Sequence, residues 1–368
     1  AQLEELKKGY EYFGIETCAT CSMCSTLCPL EIDTAKIALS LKPFMRSPFR
    51  QEVAKASSKM YGTTIGLAKA SLMGANAART ILGSETVTKI SRKMNETLQI
   101  PFVPVTMPKS NGYSFNDKII PGNDMKVIYF TSCINRVFAP RDERFDKRPL
   151  QEVFEGLCKK AGIDVVYPHK VKSLCCGKSY KDYPEVESQK ATELQNIIHE
   201  MAKTAKNCIV VCDHSACSYE ILKRLKESDS SINFMDMPVF LEKVLLERIS
   251  IRKIDEDVAV YPMCSTVKGK WDSSLKAVAQ ACTTGKVYVH SSTKCCGFAG
   301  NKGFTRPELN DSALRLFNEY YDNEQEKNPN LKRGYSSSST CEIGLNSHSD
   351  IAWQNLIYLV DKVARYKM

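Results

Sequence analysis

The sequence predicts an α+α/β fold: an N-terminal α-helical domain, then a duplicated α/β domain with parallel sheets. Three observations carry this. Residues from Leu3 to about Gln99 place Ala, Leu, Lys and Met at helical spacing. After Gly122 short apolar strands alternate with helical stretches, the pattern of parallel sheets covered by helices. The alternation runs twice, and each pass contains the tripeptide Cys-Cys-Gly. The expected units are 1–115, 116–250 and 251–368.

In the first unit, helices are expected at Ile37–Leu41, Phe49–Met60 and Thr63–Leu82. The run Gly66-Leu-Ala-Lys-Ala-Ser-Leu-Met-Gly74 is rich in small residues, which suits close helix packing or a helix lying on a membrane surface. Pro101, Pro104, Pro108 and Ser110-Asn-Gly-Tyr113 break the helical pattern and predict a linker. In the second unit the expected strands are Val127–Phe130, Val165–Tyr167 and Ile209–Val211, with helices at Leu150–Ala161, Glu185–Ala205 and Tyr219–Glu227. The third unit repeats the order, with strands Val258–Tyr261, Val287–His290 and Tyr335–Ser337 and helices Lys270–Ala281, Pro307–Tyr321 and Trp353–Tyr366.

Cysteine spacing writes the repeat most clearly. Cys133, Cys175, Cys176 and Cys217 correspond to Cys264, Cys295, Cys296 and Cys341, and the partners lie 131, 120 and 124 residues apart for the first, second and last pairs. This is an internal duplication of about 125 residues. In parallel α/β units, residues just past strand ends gather on one edge, where ligands bind. Four cysteines per copy can therefore converge although they are distant in sequence. A Cys-Cys-Gly turn can aim both sulfurs at one site, because glycine lets the backbone fold close. Each set is expected to ligate a cluster or zinc. Cys158, Cys208 and Cys282 sit in apolar patterns with no duplicated partner and are expected to pack as small apolar residues.

The run Cys18-x-x-Cys21-x-x-Cys24-x-x-x-Cys28-Pro29 has the ligand spacing of a bacterial-type [4Fe-4S] cluster. Two intervening residues let the chain wrap a cluster edge, and proline stops the turn from continuing as helix. A zinc site would normally use two separated Cys-x-x-Cys knuckles, and a disulfide framework would need a small secreted chain.

Composition narrows the function classes. The formal charge of +9 is spread over mixed Lys/Glu faces, without the basic blocks and interleaved aromatics that nucleic-acid binding wants. An acidic redox partner or an anionic membrane surface is compatible with it. Sixteen cysteines and no secretory signal predict a reducing cytoplasmic location, peripheral at most on the inner face of the membrane. No run approaches 18 uninterrupted apolar residues, so no transmembrane segment is expected. The start at Ala1-Gln2-Leu3 is expected to reflect processing or excision from something longer.

Paired Cys-Cys-Gly motifs resemble the cysteine-rich (CCG) domain of heterodisulfide reductases and of the iron–sulfur parts of glycolate, glycerol-3-phosphate and D-lactate dehydrogenases. That family's copies run Cys…Cys-Cys-Gly…Cys-x-x-Cys, and this chain departs at the penultimate ligand. His214 stands three before Cys217, and Ser338 stands three before Cys341. Each copy is thus one thiolate short of the five that heterodisulfide-cleaving clusters require. Cys212 and His214 are the nearest replacements in the first copy; helix capping or hydrogen bonding is the other role open to His214. Ser338 is not expected to ligate.

Further motifs point to one branch. Gly14-Ile-Glu-Thr-Cys18, Cys28-Pro-Leu-Glu-Ile-Asp-Thr34, Cys295-Cys-Gly-Phe-Ala-Gly300-Asn-Lys-Gly-Phe304, Pro307-Glu-Leu-Asn310, Thr340-Cys-Glu-Ile-Gly344, His348-Ser-Asp-Ile351 and Ile357-Tyr-Leu-Val-Asp361 resemble the C-terminal iron–sulfur half of FAD-linked D-lactate dehydrogenases. The resemblance implies an α-helical ferredoxin-like domain before the CCG repeats, one to three 4Fe-4S clusters, and FAD on a partner domain or subunit. It implies an oxidoreductase in which electrons leave a flavin reduced by a D-2-hydroxy acid. They would pass through this chain to an acceptor such as quinone or a soluble carrier. The alternatives are a catalytic disulfide or quinone reductase of heterodisulfide reductase type, an iron–sulfur subunit of a glycolate or glycerol-3-phosphate dehydrogenase, and a docking module in which one copy holds zinc or nothing. No catalytic acid or base is assignable from the sequence.

Overall fold

A computed structural model describes residues 2–98, 100–115, 122–140, 144–204, 208–228, 231–290 and 295–367. Position 116, where the second unit was expected to begin, lies outside these, as do Ala1, Ala205 and Met368. The chain is a mixture of helices and parallel sheets.

The N-terminal segment is helical because its interiors carry good helix formers and two of its helix starts are capped. Asp33 accepts from the Ala35 amide at 3.0 Å and opens Thr34–Met45. Ser47 caps Pro48–Lys59, which begins with proline, where no amide is needed. Tyr61–Leu82 ends at Gly83, whose φ of 82° is a left-handed conformation that glycine adopts freely. Ser84–Leu98 follows. The expected linker is fastened down rather than loose. Arg79, buried, donates to the carbonyls of Val105 and, at 2.9 Å, Met107. Lys109–Ser110 then pairs antiparallel with Phe138–Ala139.

Two four-stranded parallel sheets follow. One runs Ile163–Val166, Met125–Phe130, Ile209–Cys212, Phe234–Asp236. The other runs Val287–Val289, Val258–Val260, Arg333–Ser336, Ala352–Asn355. Both have the order second, first, third, fourth in chain sequence. Short antiparallel strands, Ser250–Ile251 and Ala364–Arg365, join the ends of the two halves. Helices Leu150–Lys160, Asp272–Cys282 and Leu356–Val363 share one apolar core with Val127, Val211, Val258 and Val260, so strands of both sheets pack into a common interior.

Two expectations are corrected. Trp353–Tyr366 is not one helix: Ala352–Asn355 is a strand, Leu356–Val363 a helix and Ala364–Arg365 a strand. The fourth strands pass into helices with no intervening turn, and only Pro238, in the first turn after Phe234–Asp236, punctuates either junction. Asn355 ends its strand and caps the next helix, accepting from Ile357 N–H at 3.2 Å. Cys158 and Cys282 do have duplicated partners, namely each other. They lie 124 residues apart, on corresponding helices, both fully buried in the common core. Cys208 is buried in an apolar cluster with Ile198 and Val210.

One buried carboxyl in this frame titrates. Asp236 ends the fourth strand of the first sheet, and burial pushes its pKa up to about 7 against hydrogen bonds from Ser218 and Ser215. The folded state therefore holds this proton more tightly than the unfolded chain does. Its contribution is fully present below about pH 4 and is lost as pH rises toward 7. Asp236→Asn is expected to flatten the fall in urea midpoint between pH 5 and 7, a change of about 1–3 kcal/mol. Parallel slopes in the two proteins would contradict this.

Candidate functional site

The first thiol group forms where the first sheet's strands end. Cys133 opens the Cys133–Val137 helix after the first strand, capped by Ser132, which accepts from Asn135 N–H at 3.3 Å. Cys217 lies in the first turn of Ser215–Glu227, after the third strand. Cys175-Cys176-Gly177 is the connection that closes over them. All four cysteines are buried, and their thiols run as a chain of contacts, Cys133 to Cys175 to Cys176 to Cys217, with Cys212 beyond.

The second group repeats this arrangement. Cys264 opens Cys264–Gly269, Cys341 lies in the first turn of Ser339–His348, and Cys295-Cys296-Gly297 closes over them. Contacts run Cys264 to Cys295 to Cys296 to Cys341, with the last two sulfurs 3.1 Å apart. In both turns the glycine N–H points at the first cysteine's Sγ at 3.4 Å. The middle thiols, Cys176 and Cys296, are pulled below the usual range because neighbours on both sides donate to them. Cys217 and Cys341 are pushed up by donating to those thiols.

The glycines are obligatory for space as well as for φ. Gly177 has a φ of 89°, and a Cβ there would lie 2.6 Å from the Glu187 carbonyl oxygen. Gly297 has a φ of 72°, and a Cβ would lie 2.2 Å from the Leu309 oxygen. Gly300 shares the left-handed φ, at 76°, but faces open space. Gly297→Ala is therefore expected to cost about 3 kcal/mol and Gly300→Ala about 1 kcal/mol. Equal urea midpoints for the two variants would contradict the close approach at Gly297.

The Cys18–Cys28 run wraps with left-handed backbone at Thr20 and Ser22, and its four cysteines are half-buried. Cys18 accepts from Thr20 N–H at 3.4 Å, and Cys24 from Thr34 Oγ1 at 3.2 Å. Cys21 turns toward the second thiol group, where hydrogen bonding from Cys295 lowers its pKa. The Met23–Leu27 helix packs on Cys264–Gly269. Ion pairs fix this approach. Glu16 pairs with Arg46 at 3.3 Å and Lys302 at 3.3 Å, and Asp182 pairs with Lys42 at 3.1 Å and with Arg46.

His214 and Ser338, at corresponding positions in the two copies, meet each other. His214 Nε2 lies 3.1 Å from Ser338 Oγ. Burial, then the charge of Lys178, lowers the His214 pKa to about 4, so the ring is neutral at pH 7. Its side chain does not cap the following helix; its carbonyl accepts from Cys217 N–H at 2.8 Å.

Several residues at the sites carried no sequence signal. Tyr61, from the helical segment, brings its hydroxyl to Cys133 and Cys175. Arg136 is buried and donates to the carbonyls of Val171 and Leu174, and to Ser132 O at 3.4 Å. Lys178 pairs with Glu220 at 3.1 Å and lies near Cys176 and Cys264; burial opposes its charge, but these anionic groups outweigh it and raise its pKa. A cavity of about 710 Å³ is bordered by Asn135, Ser339 and Glu342, each within two residues of Cys133 or Cys341.

By donor type and burial, each group of four thiols suits a soft, thiolate-bound centre, a cubane or zinc. The sulfurs do not converge as a single-ion site: among the described residues no three or more His, Cys, Asp or Glu groups are disposed to hold one metal ion. The 3.1 Å between Cys296 and Cys341 is also shorter than the roughly 3.8 Å that tetrahedral zinc with bonds of about 2.3 Å would set, and a cubane, whose cysteines bind separate irons, would hold these sulfurs farther apart still. Comparison with protein-family models, with curated proteins and with solved structures found no match to this chain.

Proposed function

We propose that this chain is an iron–sulfur electron-transfer module, the cluster-bearing portion of an FAD-dependent D-2-hydroxy-acid dehydrogenase of D-lactate type. The observation that carries the reading is the contact of Cys21 with Cys295. It joins a run with bacterial 4Fe-4S spacing to a second group of buried thiols. Cys18, Cys21, Cys24 and Cys28 would hold one cluster. Cys133, Cys175, Cys176 and Cys217, and Cys264, Cys295, Cys296 and Cys341, would hold the others. Bound there, such clusters carry one electron each, which divides the pair delivered by a flavin on a partner.

The chain's own residues support this in definite ways. Gly177 and Gly297 let the two Cys-Cys-Gly turns pack tightly on the helices that carry Glu187 and Leu309, and Tyr61 covers the first group from the helical side. Lys178 places positive charge between the two copies, beside Cys176 and Cys264. The entry at Cys18–Cys28 lies against the second copy, so that copy is next in line. The cavity between the Cys133 and Cys341 helices offers room for an organic acceptor such as a quinone. The three units at 1–115, 116–250 and 251–368, a cytoplasmic location and a flavoprotein partner belong to the same reading.

Iron analysis with low-temperature electron paramagnetic resonance of the anaerobically reconstituted and reduced chain tests it. About twelve irons per chain with cubane signals is the expected result. About four irons plus zinc would favour a docking module, and no cubane signal sinks the reading.

A further inference from the structure

We propose that consecutive helices Thr34–Met45, Pro48–Lys59 and Tyr61–Leu82 form a docking surface for an anionic lipid bilayer, independent of what the thiols hold. Three observations converge on it. The first is where apolar side chains meet water. Every exposed large hydrophobic side chain among the described residues except Leu316 and Tyr366 precedes residue 106. Phe44 is 88% exposed, Ile81 81%, Phe49 76% and Leu67 65%. Nine of them lie between Thr34 and Leu82, a concentration beyond ordinary surface scatter.

The second is charge. From Thr34 to Leu82 there are eight basic residues and one acidic residue, Glu52, so this stretch carries +7 of the chain's formal +9. Lys42 and Arg79 are buried and Arg46 is held by Glu16 and Asp182, but Lys36, Arg50 and Lys59 stand exposed among the apolar side chains. Long basic side chains of this kind lay their stems on apolar surface and lift their charge to the phosphate level.

The third decides between a bilayer and a protein partner. The outward positions of Tyr61–Leu82 include Gly66, Leu67, Ala70, Gly74, Ala77 and Ile81, which carry no polar side-chain atom. Two hydroxyls on the same helix are turned to backbone carbonyls, Thr64 to Ser57 O at 3.0 Å and Thr80 to Asn76 O at 3.0 Å, while Thr63 and Ser71 stand exposed beside that line. A protein interface normally carries about one hydrogen bond per 100–200 Å², which this line of small and apolar residues does not offer. An acyl-chain region asks for none. No helix of the described residues is long and apolar enough to cross a membrane, so the helices would lie in the interface plane.

Co-sedimentation of the full chain with vesicles tests this. Partitioning is expected to be at least about tenfold stronger with one-third phosphatidylglycerol in phosphatidylcholine than with phosphatidylcholine alone, and to weaken in about 0.5 M salt. The double variant Phe49→Glu, Leu67→Glu should lose binding at an unchanged melting temperature, whereas Leu316→Glu should bind like the parent. Equal partitioning into both vesicles, or full binding by the double variant, overturns the proposal. So does a chain that stays in the supernatant, and light scattering that then shows dimers would assign the face to a second copy. Vesicle binding does not depend on iron content, so its failure is separate from failure of the electron-transfer reading.

Discussion

Replacing Asp213 by alanine is expected to destabilise the protein by about 3–5 kcal/mol, among the largest effects of any single substitution here. The carboxylate is fully buried and accepts from three donors: Tyr129 Oη at 2.7 Å, Thr131 Oγ1 at 2.8 Å and Ser132 N–H at 2.8 Å. Burial, and then the charge of Asp213, push the Tyr129 pKa far up, so that hydroxyl stays protonated and donates. Alanine would strand all three donors where water cannot reach them. The consequence is local as well as global. Ser132 caps the helix that begins at Cys133, and Asp213 precedes the helix that carries Cys217, so this carboxylate sets the separation of those two thiols. Asp213→Asn keeps one acceptor and turns an N–H toward the donors, so an intermediate loss is expected. Urea midpoints for the three proteins measure the effect. A shift under about 1 kcal/mol for Asp213→Ala would mean that the triple acceptor contributes little.

What the sequence made legible follows from the range of the forces involved. Apolar strands such as Val127–Phe130 and Ile209–Val211 announce themselves because a strand buried on both faces is apolar throughout. The Cys-Cys-Gly repeats were readable because steric exclusion at Gly177 and Gly297 is local. The fourth strands were not: Phe234–Asp236 is three residues long and meets Met237–Phe240 with no turn between them. The symmetry of Cys158 and Cys282 was hidden because a buried thiol resembles any small apolar residue. Cys21 meeting Cys295 had no local signal at all, since ion pairs among Glu16, Arg46, Asp182 and Lys302 from separate parts of the chain create that contact. The pairing of His214 with Ser338 was invisible for the same reason. The departures themselves could be read, but not that they would face each other.

Arg136→Met should cost about 3 kcal/mol, and the reason connects stability to the chemistry proposed for the first thiol group. The guanidinium is buried, and no carboxylate pairs with it among the described residues; its donors go to the carbonyls of Val171, Leu174 and Ser132. Leu174 immediately precedes Cys175, so the planar fork ties the Cys-Cys-Gly turn to the helix that starts at Cys133. Methionine would fill most of the volume and leave those carbonyls without the fork. Lysine would satisfy one or two of them with a point charge, so Arg136→Lys should recover part of the loss but not all. A buried cation without an anionic side chain beside it is costly unless something negative balances it. The groups at hand are thiols: hydrogen bonding to Cys175 and burial push the Cys133 thiol well up, and the charge of Arg136 is what opposes them. If the first copy holds an anionic thiolate-bound centre, Arg136→Met should lose iron from that copy before the Cys18–Cys28 site does. Measured iron should then fall by about one cluster's worth while the remaining signal is unchanged. Equal iron in Arg136→Met and the parent, together with the expected fall in stability, would confine this arginine to holding the turn.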